Sequence, residues 1–158
     1  MDVLIFAVAV FVVVILVAVG IKNKMINDGK ITNRSSDFVY YSEFFTTKAF
    51  EAIELKNVMS SDSFKYYYKG GIHGNCDTTL TFNYGNMWTA KLTKIEQTSS
   101  SCKYQFMFVS WKTKDYVPVG GVQMNMLLTG LEKAFLQIDP NTQVTKKKNE
   151  VSTKRGVL

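Results

Sequence analysis

The sequence predicts a small α+β domain that follows a single apolar N-terminal helix. Three observations lead to this fold class: a charge-free run at the N-terminus, a central series of segments in which polar and apolar residues alternate, and one long amphipathic segment near the C-terminus. A period of two indicates strands, and a period near 3.6 indicates a helix. Because the predicted strands follow one another without intervening helices, the class is α+β.

The N-terminal run covers residues 3–21 and has no charged, amide or hydroxyl side chain. A helix of this length rises about 1.5 Å per residue and spans roughly 28 Å, close to the ~30 Å hydrocarbon core of a bilayer. Its many β-branched residues favour a strand in water, but in lipid each backbone polar group must be satisfied within the segment. Residues 1–21 are therefore predicted to form a single transmembrane anchor.

Basic residues are concentrated on both sides of the predicted domain. Residues 22–34 carry a net charge of +3 and residues 145–158 carry +4, whereas residues 35–144 are balanced. The excess after the anchor predicts a cytoplasmic domain by the positive-inside rule, and the neutral domain argues against nucleic acid as a partner. A solvated tail has the same composition, but basic flanks also favour contact with the lipid bilayer, here through Lys22, Lys24, Lys146, Lys147 and Lys148.

Two features leave an extracytoplasmic location open. Residues 18–20 have the small-x-small pattern of a signal-peptide cleavage site, although no positive charge precedes them and the apolar run exceeds the usual length. Cys76 and Cys102 are the two cysteines. In an oxidising compartment they could form a disulfide that closes a loop of about 26 residues and stabilises the domain by roughly 3 kcal/mol. In the cytoplasm they would be reduced and unpaired.

The segment between the anchor and the first predicted strand is polar. Residues 22–36 lack apolar periodicity and predict a basic juxtamembrane linker. Residues 37–45 look extended, with aromatic residues on both faces. Thr46 and Thr47 follow as candidate helix N-caps. They precede a predicted helix over residues 48–59, whose short apolar face consists of Ala49, Phe50 and Ile53.

Four segments with a period of two predict an antiparallel meander: residues 64–69, 78–84, 87–95 and 103–112. Glycines at 70–71 and 74 mark the first turn region, and Gly85-Asn86 is predicted as a two-residue turn. The last segment is apolar on both faces, which predicts a central strand. One of its faces carries Tyr104, Phe106 and Phe108, and the other carries Met107, Val109 and Trp111.

The clearest helix signal covers residues 121–138. Its apolar residues lie at positions 124, 127, 128, 131, 134, 135 and 138, a full stripe that must pack on another surface. Asp139-Pro140 ends the segment. No periodicity follows, so residues 37–140 are predicted to form the domain and residues 141–158 a disordered basic tail.

This order of elements resembles a reduced helix-grip domain of the START-like kind, in which a curved sheet wraps a long C-terminal helix. The resemblance covers residues 37–140 and concerns topology. The predicted strands themselves give an antiparallel sheet of four to five strands against the long helix, two or three fewer than the resemblance implies. The resemblance also implies a cavity between the sheet and that helix, suited to a lipid or another apolar small molecule.

No group of residues predicts catalysis. His73 is the one histidine and lies near Cys76 and Asp77, but a metal site needs three or four ligands and turn geometry alone explains a glycine-rich segment. Residues 70–74 also lack the Lys-Ser/Thr of a phosphate-binding loop. We therefore expect a protein that is not an enzyme and that holds no metal or cofactor.

Aromatic side chains provide the remaining indication of binding. They could line an apolar pocket or form the core of a small domain. The candidate ligand-binding residues are Tyr66, Tyr68, Tyr84, Trp88, Tyr104 and Phe106. The expected function is a membrane-tethered, non-catalytic binding module whose partner is another membrane protein or an apolar ligand. The alternative is a lipid or small-molecule binding domain with a cavity between the sheet and the C-terminal helix.

Overall fold

The structure is a computed structural model that describes residues 2–149 and 154–157; of residues 2–5 and 154–157 only the backbone is described. The chain divides after residue 33 into a helical N-terminal unit and a compact domain. The compact domain combines an antiparallel sheet with helices, which confirms the α+β class predicted from the sequence.

The N-terminal unit contains helix α1 (Asp2–Asn27). Within the described residues it is the one helix long and apolar enough to cross a membrane, with a mean hydropathy of 2.5 in its apolar window. Its apolar side chains from Phe6 to Ile21 are exposed. Length and composition thus agree with a membrane anchor, although a signal sequence has the same two properties.

Helix α1 continues beyond the predicted anchor and includes residues 22–27 of the predicted linker. Lysine, asparagine and methionine tolerate helical backbone, and the helix ends only where Gly29 adopts a φ of +64°. The N–H groups of Gly29 and Lys30 donate to the carbonyls of Ile26 and Met25. This pattern is the Schellman motif of a helix C-terminus.

Among its described residues, the compact domain has eight strands in one sheet: β1 (Tyr41–Lys48), β2 (Gly71–Gly74), β3 (Thr79–Tyr84), β4 (Trp88–Gln97), β5 (Ser101–Lys114), β6 (Val117–Pro118), β7 (Gln143–Lys148) and β8 (Lys154–Val157). The main strand order is β2-β3-β4-β5-β1-β7, and β6 and β8 also pair with β5. All pairs are antiparallel except that of β8 with β5. The sheet is therefore larger than the four to five strands predicted. The sequence does not predict β2, β6, β7 and β8, because these strands have no apolar alternation.

In the part of the chain that the structure describes, the helical segments beside the sheet are a 3₁₀ turn (Phe38–Tyr40), α2 (Ala52–Ser60), α3 (Asp62–Tyr67) and α4 (Gly121–Ile138). Helix α4 packs on the face of the sheet that carries Phe45 and Tyr104, where the ring centroid of Phe135 lies 4.5 Å and 5.2 Å from theirs. Its predicted bounds are confirmed, and so is its apolar stripe, since all seven predicted positions are buried.

The predicted strands over residues 78–84 and 87–95 are confirmed as β3 and β4, with Leu80, Phe82 and Leu92 buried. The turn between them has three residues rather than two, because Tyr84 pairs with Trp88. Strand β5 lies between β4 and β1, so its predicted central position is confirmed.

A β-bulge in β5 overturns one part of its predicted pattern. Thr89 pairs with Ser110 whereas Ala90 pairs with Phe108, so one extra residue lies in β5 between these pairs. An extra residue reverses the alternation of side chains along the strand. Trp111 is consequently buried on the same face as Phe108 instead of the opposite face.

The strand predicted over residues 64–69 was wrong, because this segment forms α3. Ser61 caps the helix by accepting a hydrogen bond from the N–H of Phe64 at 3.3 Å. Phe64 and Tyr68 are buried and are four residues apart, a spacing that fits one face of a helix as well as one face of a strand. Tyr66, the third residue of the predicted strand face, is half-exposed.

The helix predicted over residues 48–59 begins later than expected. Residues 46–47 belong to β1 and are not N-caps. The N-cap is Glu51, whose N–H donates to the Glu54 carboxylate at 3.1 Å in a capping box. Leu55 and Met59 are buried, rather than the face that carries Ile53.

Two further segments are more ordered than predicted. Residues 71–74, expected in a turn, form the edge strand β2. Residues 143–148, expected in a disordered tail, form β7 on the outer side of β1. Most side chains of β7 are polar and exposed. The sequence therefore has no apolar alternation that predicts this strand. The tail residues 150–153 and 158 lie outside the described residues.

Candidate functional site

The structure packs most of the predicted aromatic set into the core. Tyr68, Trp88, Tyr104 and Phe106 are buried, and Tyr84 stacks on Trp88 with ring centroids 5.4 Å apart. Tyr66 lies apart from these residues on α3, where its ring meets that of Tyr67 at 5.2 Å. These contacts account for the six side chains as packing, and their role in ligand binding stays a prediction.

The predicted membrane-surface lysines occupy two different elements. Lys22 and Lys24 lie near the end of α1, and residues 146–148 lie on β7. The three lysines of β7 are exposed on a strand at the edge of the sheet. Lysines there also discourage pairing with strands of other molecules. Contact of these residues with lipid stays a prediction.

The residues first considered for chemistry are not brought together. His73 is exposed on β2, and among the described residues no group of three or more His, Cys, Asp or Glu side chains could hold a metal ion. Cys76 and Cys102 are free and buried. Burial raises the pKa of both thiols, which keeps them protonated at neutral pH and weakly reactive.

An open groove with a volume of about 540 Å³ lies between α2 and the β2–β3 end of the sheet. One wall is a single face of α2, because its lining residues follow a helical spacing. These residues are Ala52, Ile53, Lys56, Met59 and Ser60. Met59 is buried and forms part of the floor, whereas Ile53 is 51% exposed on the rim.

The opposite wall comes from β2, β3 and the turn between them: Ile72, Gly74, Asn75, Cys76 and Leu80. Leu80 is buried in the floor, and Ile72 is 37% exposed. Within the described part of the chain β2 pairs with β3 alone, so its outer edge is open. The groove thus lies beside an edge strand.

Two local features hold β2 in place. The hydroxyl of Tyr68 lies 2.7 Å from the Asn83 carbonyl oxygen and 2.9 Å from that of Gly71. Burial raises the pKa of Tyr68 to about 12, so this hydroxyl remains a donor at neutral pH. Gly74 has a φ of +108°, and a Cβ there would lie 2.2 Å from the Thr79 carbonyl oxygen. Only glycine fits this position.

The groove has one formal charge. Lys56 is exposed and forms no ion pair within the described residues, and the other lining residues are apolar, polar but neutral, or glycine. The Cys76 thiol stays neutral because burial raises its pKa. The groove thus combines an apolar floor with one cationic side chain in its described lining.

A second polar group of residues is buried at the other end of the domain. Arg34 Nη2 lies 2.6 Å from Glu132 Oε2, and Arg34 Nε lies 3.7 Å from Glu43 Oε1. Arg34 Nη1 also donates to Asn125 and, at 2.9 Å, to Thr129. Lys146 completes this ion cluster, with Nζ 3.1 Å from Glu43 Oε1.

The ion cluster connects β1, β7 and α4 to the first residue of the compact domain. Burial raises the pKa of Glu43, and the neighbouring Glu132 raises it further against the opposing effect of Arg34. Both cations are engaged by carboxylates, and we describe the cluster as a clamp because removal of one partner would leave buried charge uncompensated. Sequence reasoning missed it because Arg34 was assigned to a linker and the two glutamates are 89 positions apart.

No protein-family model, curated protein or solved structure matches this chain.

Proposed function

We propose that this chain is a membrane-tethered, non-catalytic binding module whose binding surface is the groove between α2 and β2. The observation that carries the proposal is the groove itself. Its volume of about 540 Å³ lies within the range of ligand sites, roughly 300–1,000 Å³. Exposed Ile53 and Ile72 on opposite rims would gain from being covered by an apolar ligand, because removal of apolar area from water is favourable.

The proposed tether is α1, which supports this role through its length and apolar composition. A tether confines the domain to the bilayer surface and raises its effective concentration there, so weak contacts suffice. We further propose that the domain faces the cytoplasm. The basic residues after the apolar run support this orientation, and free buried cysteines agree with a reducing compartment.

Orientation is tested by labelling an introduced thiol at an exposed loop position, Ser99→Cys, with a membrane-impermeant maleimide in intact cells. The native chain is the control for labelling of its own two buried cysteines. We expect Ser99→Cys to be labelled only after the membrane is permeabilised. Labelling in intact cells would place the domain outside and contradict this part of the proposal.

Binding at the groove is tested by photo-crosslinking in native membranes. A diazirine amino acid replaces Ile53 on the groove rim in one variant and Leu136, 43% exposed on α4, in the control variant. We expect a discrete adduct from position 53, its loss when Ile72→Asp is added, and no such adduct from position 136. Equal patterns from both positions would contradict binding at the groove.

The mass of the adduct also separates the two classes of ligand. An increase in mass of protein or peptide size supports an interaction module, whereas an increase of a few hundred daltons supports a lipid or apolar small-molecule binding domain. In the second case the groove is still the binding site, and the ligand is a lipid or an apolar small molecule instead of a protein.

A further inference from the structure

We propose that the ligand of this groove is an extended peptide segment that adds to the sheet as a strand beside β2 and carries an acidic group opposite Lys56. The inference rests on the proposed function, because it names the ligand of the same groove. It depends on two separate properties of the groove: the open backbone edge of β2 and the single charge of Lys56.

The backbone edge is the first property. The N–H of Asn75 donates to the Thr79 carbonyl at 3.1 Å. In an antiparallel ladder, residues that bond to the partner strand alternate with residues whose N–H and C=O point away. Counting back from Asn75, the N–H and C=O of Ile72 and Gly74 point to the open side. Both residues line the groove.

These outward donors and acceptors match another peptide backbone. An extended peptide beside an edge strand forms main-chain hydrogen bonds with it, and alternate side chains enter the adjacent pocket. Strand β2 has four residues, which corresponds to about 13 Å of extended chain. A bound segment of four to six residues would therefore cover the edge and place one or two apolar side chains between Ile53 and Ile72.

The charge is the second property. Lys56 is the only formally charged residue that lines the groove, and it forms no ion pair within the described part of the chain. The nearby Asp77 is engaged by Lys94, with Nζ and Oδ1 2.9 Å apart. A carboxylate on the incoming segment would compensate Lys56, so an acidic peptide complements the groove and a basic peptide does not.

The same charge disfavours a second copy of this chain as the occupant. Pairing of β2 with β2 of another copy would bring two Lys56 side chains toward one ladder without a carboxylate to separate them. A fatty acid could pair with Lys56, but it has no donors and acceptors in the spacing of a strand for Ile72 and Gly74. Both occupants are outcomes of the test below.

The test uses the full chain in nanodiscs of neutral lipid and capped hexapeptides in which valine and threonine alternate. One peptide has a glutamate at its third position, two matched peptides have glutamine or lysine there, and a fourth has the glutamate with N-methylated backbone amides. Affinity is measured by titration, and the site is identified from hydrogen exchange at the Ile72 and Gly74 amides.

We expect the glutamate peptide to bind at least about tenfold more tightly than the lysine peptide, to slow exchange at Ile72 and Gly74, and to lose binding when N-methylated. Lys56→Glu should reverse the preference between the glutamate and lysine peptides. Lys69→Glu, which changes an exposed lysine outside the groove, should not. Ile72→Pro should weaken binding without removing a bond to β3, because that amide points away from β3.

Failure of strand addition is distinguishable from failure of groove binding. Equal affinity for the glutamate and lysine peptides, or retained binding of the N-methylated peptide, would overturn the inference. The same holds if the position 53 crosslink yields a lipid, or if Ile72 and Gly74 become protected by dimerisation without peptide. If the crosslink yields a lipid, the proposed function stands with a different ligand. If neither a crosslink nor peptide binding is found, the proposed function and this inference are both contradicted.

Discussion

Arg34 Nη2 lies 2.6 Å from Glu132 Oε2, and this contact joins the first residue of the compact domain to α4. The side chain of Arg34 is almost completely buried, and its Nη1 donates to Asn125 and Thr129 of the same helix. Arg34, which lies within the predicted linker over residues 22–36, therefore belongs to an ordered ion cluster. The compact domain thus begins with a buried arginine that two carboxylates, those of Glu43 and Glu132, engage.

Arg34→Ala should destabilise the domain by about 3–5 kcal/mol, because removal of one partner leaves buried charge uncompensated. The two carboxylates of Glu43 and Glu132 would lose the cation between them. Chemical unfolding of the full chain in detergent micelles, followed by tryptophan fluorescence, measures the change in the free energy of unfolding.

The matched control for Arg34→Ala is Lys65→Ala. Lys65 pairs with Asp62 at 3.4 Å, but both side chains are exposed, and such pairs contribute at most about 1 kcal/mol. If the two substitutions change the free energy of unfolding equally, the ion cluster is not the clamp described above.

Glu43→Gln should change how stability depends on pH. Burial raises the pKa of Glu43 above its usual value of 4.5, and Glu132 raises it further. The folded domain therefore holds this proton more tightly than the unfolded chain does. The resulting stability is fully present below pH 4.5 and is lost as the pH rises through the raised pKa. Glu43→Gln removes that loss, so the free energy of unfolding of the variant minus that of the native chain should increase with pH across this window.

Unfolding measured at several pH values between 4 and 8 tests this sign. A difference that stays constant across the window, or that decreases as the pH rises, would show that the pKa of Glu43 is not raised in the folded domain. Arg34, Lys146 and Glu132 face Glu43, and Glu132 is the other carboxylate among them, so Glu132→Gln is the informative second variant.

Much of the fold follows from the period of the apolar residues, and the exceptions have identifiable causes. The stripe of α4 predicts its buried face, because a helix of 18 residues repeats its period five times. The segment with Phe64 and Tyr68 was misassigned because a spacing of four fits both a helix and a strand. The predicted face of Trp111 is wrong because of the β-bulge between the Thr89–Ser110 and Ala90–Phe108 pairs. This bulge depends on the register with β4, which the sequence of β5 alone does not determine.

The candidate site was less predictable than the fold. The aromatic residues chosen from the sequence are large and apolar, and those properties bury Trp88 and Tyr104 in the core. The groove requires α2 to lie beside β2, and β2 itself reads as a turn because two of its four residues are glycine. The one sequence feature that could have indicated the groove is Ile53, because it is an isoleucine on a helix face that the core does not bury.

Asp139→Asn should flatten the acid side of the stability profile. The backbone N–H groups of Lys48 and Asn141 donate to the Asp139 carboxylate at 2.8 Å and 3.0 Å. These hydrogen bonds lower the pKa of Asp139 below its usual 3.8. The stability that results is present above pH 3.8 and is lost as the pH falls through the lowered pKa. Acid unfolding curves should therefore converge for the native chain and the variant at low pH, whereas parallel curves would contradict this role.

Phe135→Ala should destabilise the domain by about 3–5 kcal/mol, the usual cost of truncating a buried phenylalanine. Its ring is fully buried and contacts those of Phe45, Phe50 and Tyr104, so its removal leaves a cavity between α4 and the sheet. The neighbouring Leu136 is 43% exposed, and Leu136→Ala should change the free energy of unfolding by less than about 1 kcal/mol. Thermal and denaturant unfolding of both variants measures the difference. Equal losses, or a larger loss at Leu136, would mean that α4 packs on the sheet through a different face.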